Sequence, residues 1–382
     1  MWERFDKRYI VPLTMTVFSI LIVTAVTAGV LTPVSQAAIT ASVTAQECAA
    51  RLADPAPLST PDREWLERCV SAFTLPTSTP STAPPSSSSP PVTTPPPSPT
   101  SAPTPQACPV FPAFPDATCT GVPAGVTLTS YTGPCTITTP NTVIDRKLVN
   151  CVLHPRAAGI VISNSRIIGG VYGNTGSLAP SFTITDSEVV APQVGSNAEA
   201  NGIGEANFVA TRVEVTGGNR GVYCRFNCTL RDSWVHGTNI SATSNAHASA
   251  VRQSQGARII HNRLHCSAQD TSQGGGCSAD LTGYGDFEPV ANNLVQNNFF
   301  VATPGGACAY GGSSGDDGSK PFGNQAHDIR FVDNVFDRGP IGDHGTRNCG
   351  FYFPITDFNS ARPGNQWVGN VWVDGGVVPP AN

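Results

Sequence analysis

Lysine is scarce in this chain: three in 382 residues, with charged residues at only 13% and a net charge of -5. A nucleic-acid partner calls for a basic stripe, so none is expected. The twelve cysteines include no Cys-x-x-Cys, the usual spacing of a zinc or redox motif. Leucine is too sparse between residues 162 and 372 for a leucine-rich repeat, and the calcium-binding nonapeptide of β-rolls has only a faint echo at 311–317. Low charge with abundant Gly, Ser, Thr and Asn suits a surface that meets sugars by hydrogen bonding and stacking. The same composition is also ordinary for any extracellular β-solenoid.

What the chain does have is one six-residue word written eight times: apolar, any, usually polar, then Ser, Thr or Asn, any, apolar. The copies are 162–167, 184–189, 208–213, 230–235, 259–264, 294–299, 331–336 and 367–372. Their fourth column reads Ser165, Ser187, Thr211, Ser233, Asn262, Asn297, Asn334 and Asn370. Residues five apart on a straight strand face opposite ways, so two apolar ends share a core only if the backbone bends between them. The fourth column is expected to supply that bend, because Ser, Thr and Asn bond back to nearby main chain and Asn tolerates the left-handed region. Successive words start 22, 24, 22, 29, 35, 37 and 36 residues apart, the self-similarity of a stacked repeat. Two earlier words, 126–131 and 144–149, are spaced by 18. An all-β parallel β-helix follows, with the polar column forming a ladder along its axis.

The first third of the chain reads differently. Arg4, Lys7 and Arg8 precede an uncharged stretch whose apolar part, 10–31, is long enough to span a bilayer at about 20 residues. That pattern predicts a signal anchor over 1–37 with the N-terminus inside, and Ser35-Gln36-Ala37 offers a cleavage site for the alternative, a secreted chain. Either reading exports the rest to an extracytoplasmic location, anchored at the cell surface in the first and secreted in the second. Residues 38–73 read as a small helical hairpin, with Thr60 as N-cap and Pro61 at the first helical position. Residues 74–107 hold 12 Pro among Ser, Thr and Ala, the composition of a disordered stalk reaching on the order of 100 Å at about 3.1 Å per residue. The β-helix domain is assigned to 108–382, and nothing in it calls for more than a monomer.

An even number of cysteines in an exported chain implies disulfides. Spacing suggests Cys48 with Cys69, Cys224 with Cys228, Cys266 with Cys277 and Cys308 with Cys349. Cys108, Cys119, Cys135 and Cys151 are left to pair in one of three ways. The Cys-rich run before Cys151 and the Pro-rich tail after Asp374 are expected to cap the open ends. Surplus chain in the longer coils must leave as loops, at 237–256, 266–289, 303–327 and 337–363. Insertions on repeat scaffolds collect on one face, which is often the binding face.

Five stretches carry a family resemblance: Pro123-Ala-Gly-Val-Thr-Leu128, Thr142-Val-Ile-Asp145, Gly217-Gly-Asn-Arg220, the run from Gly276 to Asp286, and Cys308-Ala-Tyr-Gly-Gly312. With them the segment 108–382 resembles secreted right-handed parallel β-helix proteins of the pectate-lyase-like superfamily, particularly actinobacterial ones. The resemblance implies a polysaccharide or cell-wall glycan as partner. If it extends to activity, it implies a polysaccharide lyase with a base to take the proton beside a uronate carboxylate and a cation to neutralise the enolate. In that reading Arg252 or Lys320 is the base, His247 or Tyr284 the acid, Arg220 or a calcium on Asp280 and Asp286 the neutraliser. Tyr310 and Arg362 join Arg220 in holding substrate.

The chain departs from the family's words. Where some relatives have His-x-Asp-x-x-Gln, it has His247-Ala-Ser-Ala-Val-Arg252, without the acid and the amide. The Arg-x-Pro-x-x-Arg of pectate lyases is missing, since Arg362-Pro-Gly-Asn-Gln-Trp367 does not match, and so are the words of polygalacturonase-type hydrolases. A standard pectinase is not expected. Two classes stay open: an enzyme acting on polysaccharide with a non-standard site, and a non-catalytic surface module that binds glycan.

Overall fold

A computed structural model describes residues 107–193, 200–339 and 348–382. The membrane segment, the helical hairpin with its Cys48–Cys69 pair and all but the last residue of the stalk lie outside the described residues. Among the described residues no helix is long and apolar enough to cross a membrane, and the one helical element is a single 3-10 turn, Gly323–Gln325.

The rest winds into coils of up to three short strands, and each strand pairs in parallel with its counterpart one coil on. Three faces result. The first runs from Val143–Asp145 to Gln366–Val368, the second from Thr129–Ser130 to Val371–Trp372, and the third from Val171–Tyr172 to Phe353–Thr356. First and third faces join where Gln255 pairs with Ala291. The protein is therefore a parallel β-solenoid.

Register explains the core. On the first face Ile144, Ile162, Ile184, Ala210, Leu230, Ile259, Val295, Phe331 and Trp367 stack coil on coil. On the second, Val149, Ile167, Val189, Val215, Val235, Leu264, Phe300, Phe336 and Trp372 do the same. Nearly all are fully buried, and the last coils add ring stacking, with Phe300 and Phe336 centroids 4.7 Å apart. Full burial of each such side chain is worth about 1.5–3 kcal/mol, so the interior column is the main source of stability.

The same register corrects two copies of the word. Ala210 rather than Phe208 stacks on Ile184, and Val295 rather than Leu294 stacks on Ile259. The third copy is thus 210–215 with Val213 in the polar column, and the sixth is 295–300 with Asn298 in place of Asn297. With those shifts the last three spacings become 36 each.

The bend also belongs to a different residue than expected. Positive φ, between 48° and 66°, occurs at Arg146, Asn164, Asp186, Arg212, Asp232, His261, Asn297, Asp333 and Gly369, the third position of every word from 144–149 onward. From Ser165 on, and with the exception of Val213, the fourth position turns inward and satisfies main chain. The Ser165 hydroxyl accepts from Lys147 N–H and donates to Ser163 O, and Ser187 and Ser233 repeat the pattern. From Asn262 onward, each amide oxygen takes the N–H of the preceding coil, and Nδ2 donates to a carbonyl there. Nδ2 also reaches the next Oδ1 along Asn262, Asn298, Asn334 and Asn370 at 2.8–3.0 Å. Buried polar groups are costly unless paired, and this ladder pairs them.

The cysteines left open pair as Cys108–Cys119 and Cys135–Cys151, and Cys224–Cys228, Cys266–Cys277 and Cys308–Cys349 form as spacing suggested. These disulfides fit an oxidising, extracellular compartment. The C-terminal tail folds back antiparallel, with Val371 bridging Val377 and the fully buried Val378 accepting from Trp367 Nε1 at 2.7 Å, which caps that end. Residues 107–121 do not cap the other end. They run along the outside of the first corner, where Gly121 N–H donates to Arg212 O and Phe114 stacks on Phe299.

Candidate functional site

The third face carries a second repeated word that the hexads hide: Asn201-Gly-Ile-Gly, Arg220-Gly-Val-Tyr, Ser249-Ala-Val-Arg, Ala279-Asp-Leu-Thr and Ala307-Cys-Ala-Tyr. Its third members, Ile203, Val222, Val251, Leu281 and Ala309, stack inside. Its second members also belong to the interior: a Cβ on Gly202 or Gly221 would meet the buried Val215 or Val235, and Ala250 and Cys308 are core residues. Two consecutive inward residues mean that the wall bends here. First and fourth members therefore look outward side by side, which brings Arg220 to Tyr223 and Ser249 to Thr282.

Arg252 is the centre of the outward surface. It is 7% exposed, and its guanidinium carbon lies 5.4 Å from the Tyr223 ring, 5.4 Å from Tyr284 and 5.8 Å from Phe287. Its Nε has no hydrogen-bond partner, and Nη2 is 3.7 Å from Asp286 Oδ2. Lys320 Nζ meets the other Asp286 oxygen at 2.5 Å and lies 5.8 Å from the Tyr284 ring. Tyr310 packs against Tyr284 with centroids 5.1 Å apart. Phe287 forms an exposed roof, 66% accessible. Beneath that roof Arg225 grips Glu288 through Nε and Nη2 at 3.2 Å each and reaches Glu205 at 3.4 Å, tying the 285–288 loop to the sheet. Burial pushes the phenols of Tyr223, Tyr284 and Tyr310 above the ordinary tyrosine range, so each keeps its proton and serves as a donor.

Arg252, Lys320, Tyr284 and Asp286 are thus gathered, with Arg220 attached through Tyr223 and Tyr310 through Tyr284. Three other expected residues stand elsewhere. His247 is exposed at the start of the Arg252 strand, opposite Gly276, and five residues of strand separate it from Arg252 by roughly 16 Å. Arg362 pairs with Asp316 on the outer excursion of the last coils. Asp280 occupies the inward row and is fully buried; its Oδ1 accepts from Cys266 N–H at 2.7 Å. Burial holds its carboxyl well above the usual range, which favours the neutral acid. An inward acid and an outward one cannot share an ion, and the Asp280 and Asp286 pair does not form the calcium site the resemblance implied. Among the described residues no three His, Cys, Asp or Glu gather as metal ligands.

Sequence reasoning passed over Tyr223, Phe287, Arg225, Glu205 and Glu288. Tyr223 was legible, since it takes the same place in its word as Arg252 does in the next; the others sit on loops or at a bulge that no repeat announces. Past Tyr310 the third face ends in exposed aromatics, with Phe351, Tyr352 and Phe353 at 36%, 57% and 53%. Their backbone is tied by Phe351 N–H to Gly305 O and Tyr352 N–H to Gly306 O, beside the Cys308–Cys349 disulfide. A cavity of about 290 Å³, lined by residues 117–124 and Asp186, lies apart from this cluster, under the N-terminal strap.

The chain matches no protein-family model, no curated protein and no solved structure. What the fold and site define is a disulfide-stapled parallel β-solenoid whose third face displays a cation among aromatic rings.

Proposed function

We propose that this domain holds an acidic polysaccharide along its third face, with Arg252 as the receptor for a sugar carboxylate or sulfate. The observation that carries this reading is the Arg252 guanidinium itself, buried among three rings with one donor unused and only a 3.7 Å contact to Asp286. A planar guanidinium matches a carboxylate in a bidentate fork, and the low-dielectric rings strengthen the pair. Lys320 adds a second cation, Asp286 acts as the counter-ion an arriving anion displaces, and Phe287 offers a stacking surface. The exposed Phe351, Tyr352 and Phe353 extend the same face for further sugar rings.

Elimination chemistry is the second reading, in line with the pectate-lyase-like resemblance. It is favoured by the protonated Tyr284 phenol, whose ring lies 5.4 Å from the Arg252 guanidinium carbon and 5.8 Å from Lys320 Nζ. Lys320 would act as base after passing its ammonium proton to the Asp286 carboxylate it meets, and Tyr284 would donate to the leaving oxygen.

Titration of the full chain with uronate, sulfated and neutral polymers tests both readings. Acidic polymers are expected to bind with a steep salt dependence, and Arg252→Ala to lose about 10- to 100-fold in affinity, the worth of a charge-assisted bond. Equal affinity for neutral polymers, or an unaffected Arg252→Ala, would overturn the proposal. Release of unsaturated sugars that disappears in Tyr284→Phe would place the protein among the lyases; binding without release would leave it a glycan-holding module.

A further inference from the structure

The N-terminal strap, residues 107–121, is held to the first corner at His261. That side chain is 7% exposed and occupies the left-handed third position of its word. Its Nδ1 lies 2.7 Å from Asp232 Oδ1 and its Nε2 lies 2.8 Å from the carbonyl oxygen of Ala113 in the strap. Both partners are acceptors: Ala113 O has no proton to give, and hydrogen bonds from His261 and Arg231 keep Asp232 ionised, its carboxyl below the usual range. A neutral imidazole has one N–H and one lone pair, so it makes one of these bonds and turns a lone pair on the other oxygen. Only the imidazolium makes both.

We propose that His261 is an acid-set latch: charged, it pins the strap across the first corner, and on losing its Nε2 proton it releases it. The groups facing it are few. Asp232 stabilises the cation, Arg231 opposes it, Phe114 stacks 6.2 Å away and tilts over the ring, and Ala113 O completes the cage. Further out, Arg212 acts on Asp232, and Arg263, beside Phe299, acts on Asp116 of the strap. The Asp232 hydrogen bond, with help from Ala113 O, raises His261 above its ordinary value of 6.5. The folded protein thus holds the proton more tightly than the unfolded chain. The latch is fully set below about pH 6.5 and is lost as pH rises through the higher folded value. Release loosens the wall of the cavity lined by residues 117–124, and it frees the strap that joins the solenoid to the chain before it.

Hydrogen exchange on the full chain, read by mass spectrometry, tests this. The readout is the ratio of exchange in the strap to exchange in the wall strand Ala291–Gln296, which cancels the intrinsic pH dependence. The ratio is expected to rise by up to tenfold per pH unit above about pH 6.5, the slope of one released proton. It should be flat in His261→Gln, which cannot titrate, while Phe114→Ala raises the ratio at every pH and keeps the midpoint. Nitrogen-15 NMR of the wild-type imidazole decides the matter even where a variant does not fold. Two ring protons at pH 6 are expected; a neutral ring there, or a flat ratio in the wild type, overturns the latch.

Discussion

The first corner and the third face are built from the same coils, yet they use polar residues in opposite ways. At the corner the polar side chain turns inward and, on every coil from Ser165 to Asn334 except the one with Val213, does the same thing: Ser or Asn accepts the N–H of the coil before it and bonds back to a carbonyl. On the third face the inward residues are almost all apolar, and the outward ones change from coil to coil: Tyr223, Arg252, Thr282, Tyr310. Repetition serves the ladder, because each rung meets its neighbour one coil on through the same main-chain groups. A binding surface needs difference, because a ligand is asymmetric. Asp280 is the exception, a fully buried acid in the apolar inward row.

The two halves of the corner differ as well. A Ser rung offers one acceptor and one donor, whereas an Asn rung accepts two bonds and donates two, linking three successive coils. The Asn rungs coincide with the 36-residue coils that carry most of the outward cluster. Where more chain hangs from a coil, its corner is tied more firmly.

Removing an Asn rung is expected to have the largest effect. Asn334→Ala leaves Asn298 N–H and Asn298 Nδ2 without their acceptor, and two buried orphaned donors cost roughly 4 kcal/mol, measured as a lost transition midpoint in denaturant. Asp280→Asn should act the other way. The folded state keeps the Asp280 proton that the unfolded chain releases, so its contribution is full below the unfolded carboxylate pKa and falls as pH rises, each unit of upward shift being worth about 1.4 kcal/mol. The variant is expected to melt higher than wild type at pH 7 and alike at pH 3; equal melting at pH 7 would show that the inward acid is ionised. Next comes Ser187→Ala, which removes one rung hydroxyl and should cost about 1 kcal/mol. A loss as large as that of Asn334→Ala would erase the distinction between the two rung types. Arg252→Ala should change the melting temperature least while weakening acidic-glycan binding most, and a large stability loss there would make the third face structural rather than functional.

How much of this was legible can be judged residue by residue. The hexads at 162, 184, 230, 259, 331 and 367 were in true register, because apolar ends five apart around a small polar residue are what a three-faced coil needs. The slips at 208 and 294 arose where a second apolar residue offered an equally good start, Phe208 beside Ala210 and Leu294 beside Val295. Only the stacked neighbour tells which faces in. Arg252, Lys320, Tyr284 and Asp286 were named from their loops and types, but their meeting depends on loops 266–289 and 303–327 folding over the same face, which no spacing records. His247 was misplaced for a related reason: five residues along a strand are near in sequence and about 16 Å apart in space.

The amino-acid order alone settled that this chain stacks as parallel coils, since a periodic alternation of apolar and small polar residues can bury its apolar positions in no other common way. It also suggested three of the disulfides, those joining cysteines 4, 11 and 41 residues apart. Tertiary structure decided the rest: which residue bends, which asparagine joins the ladder, which acid is buried and which cation meets which ring. Those depend on the lateral contact between coils, where one residue of register turns a side chain from the core to the surface.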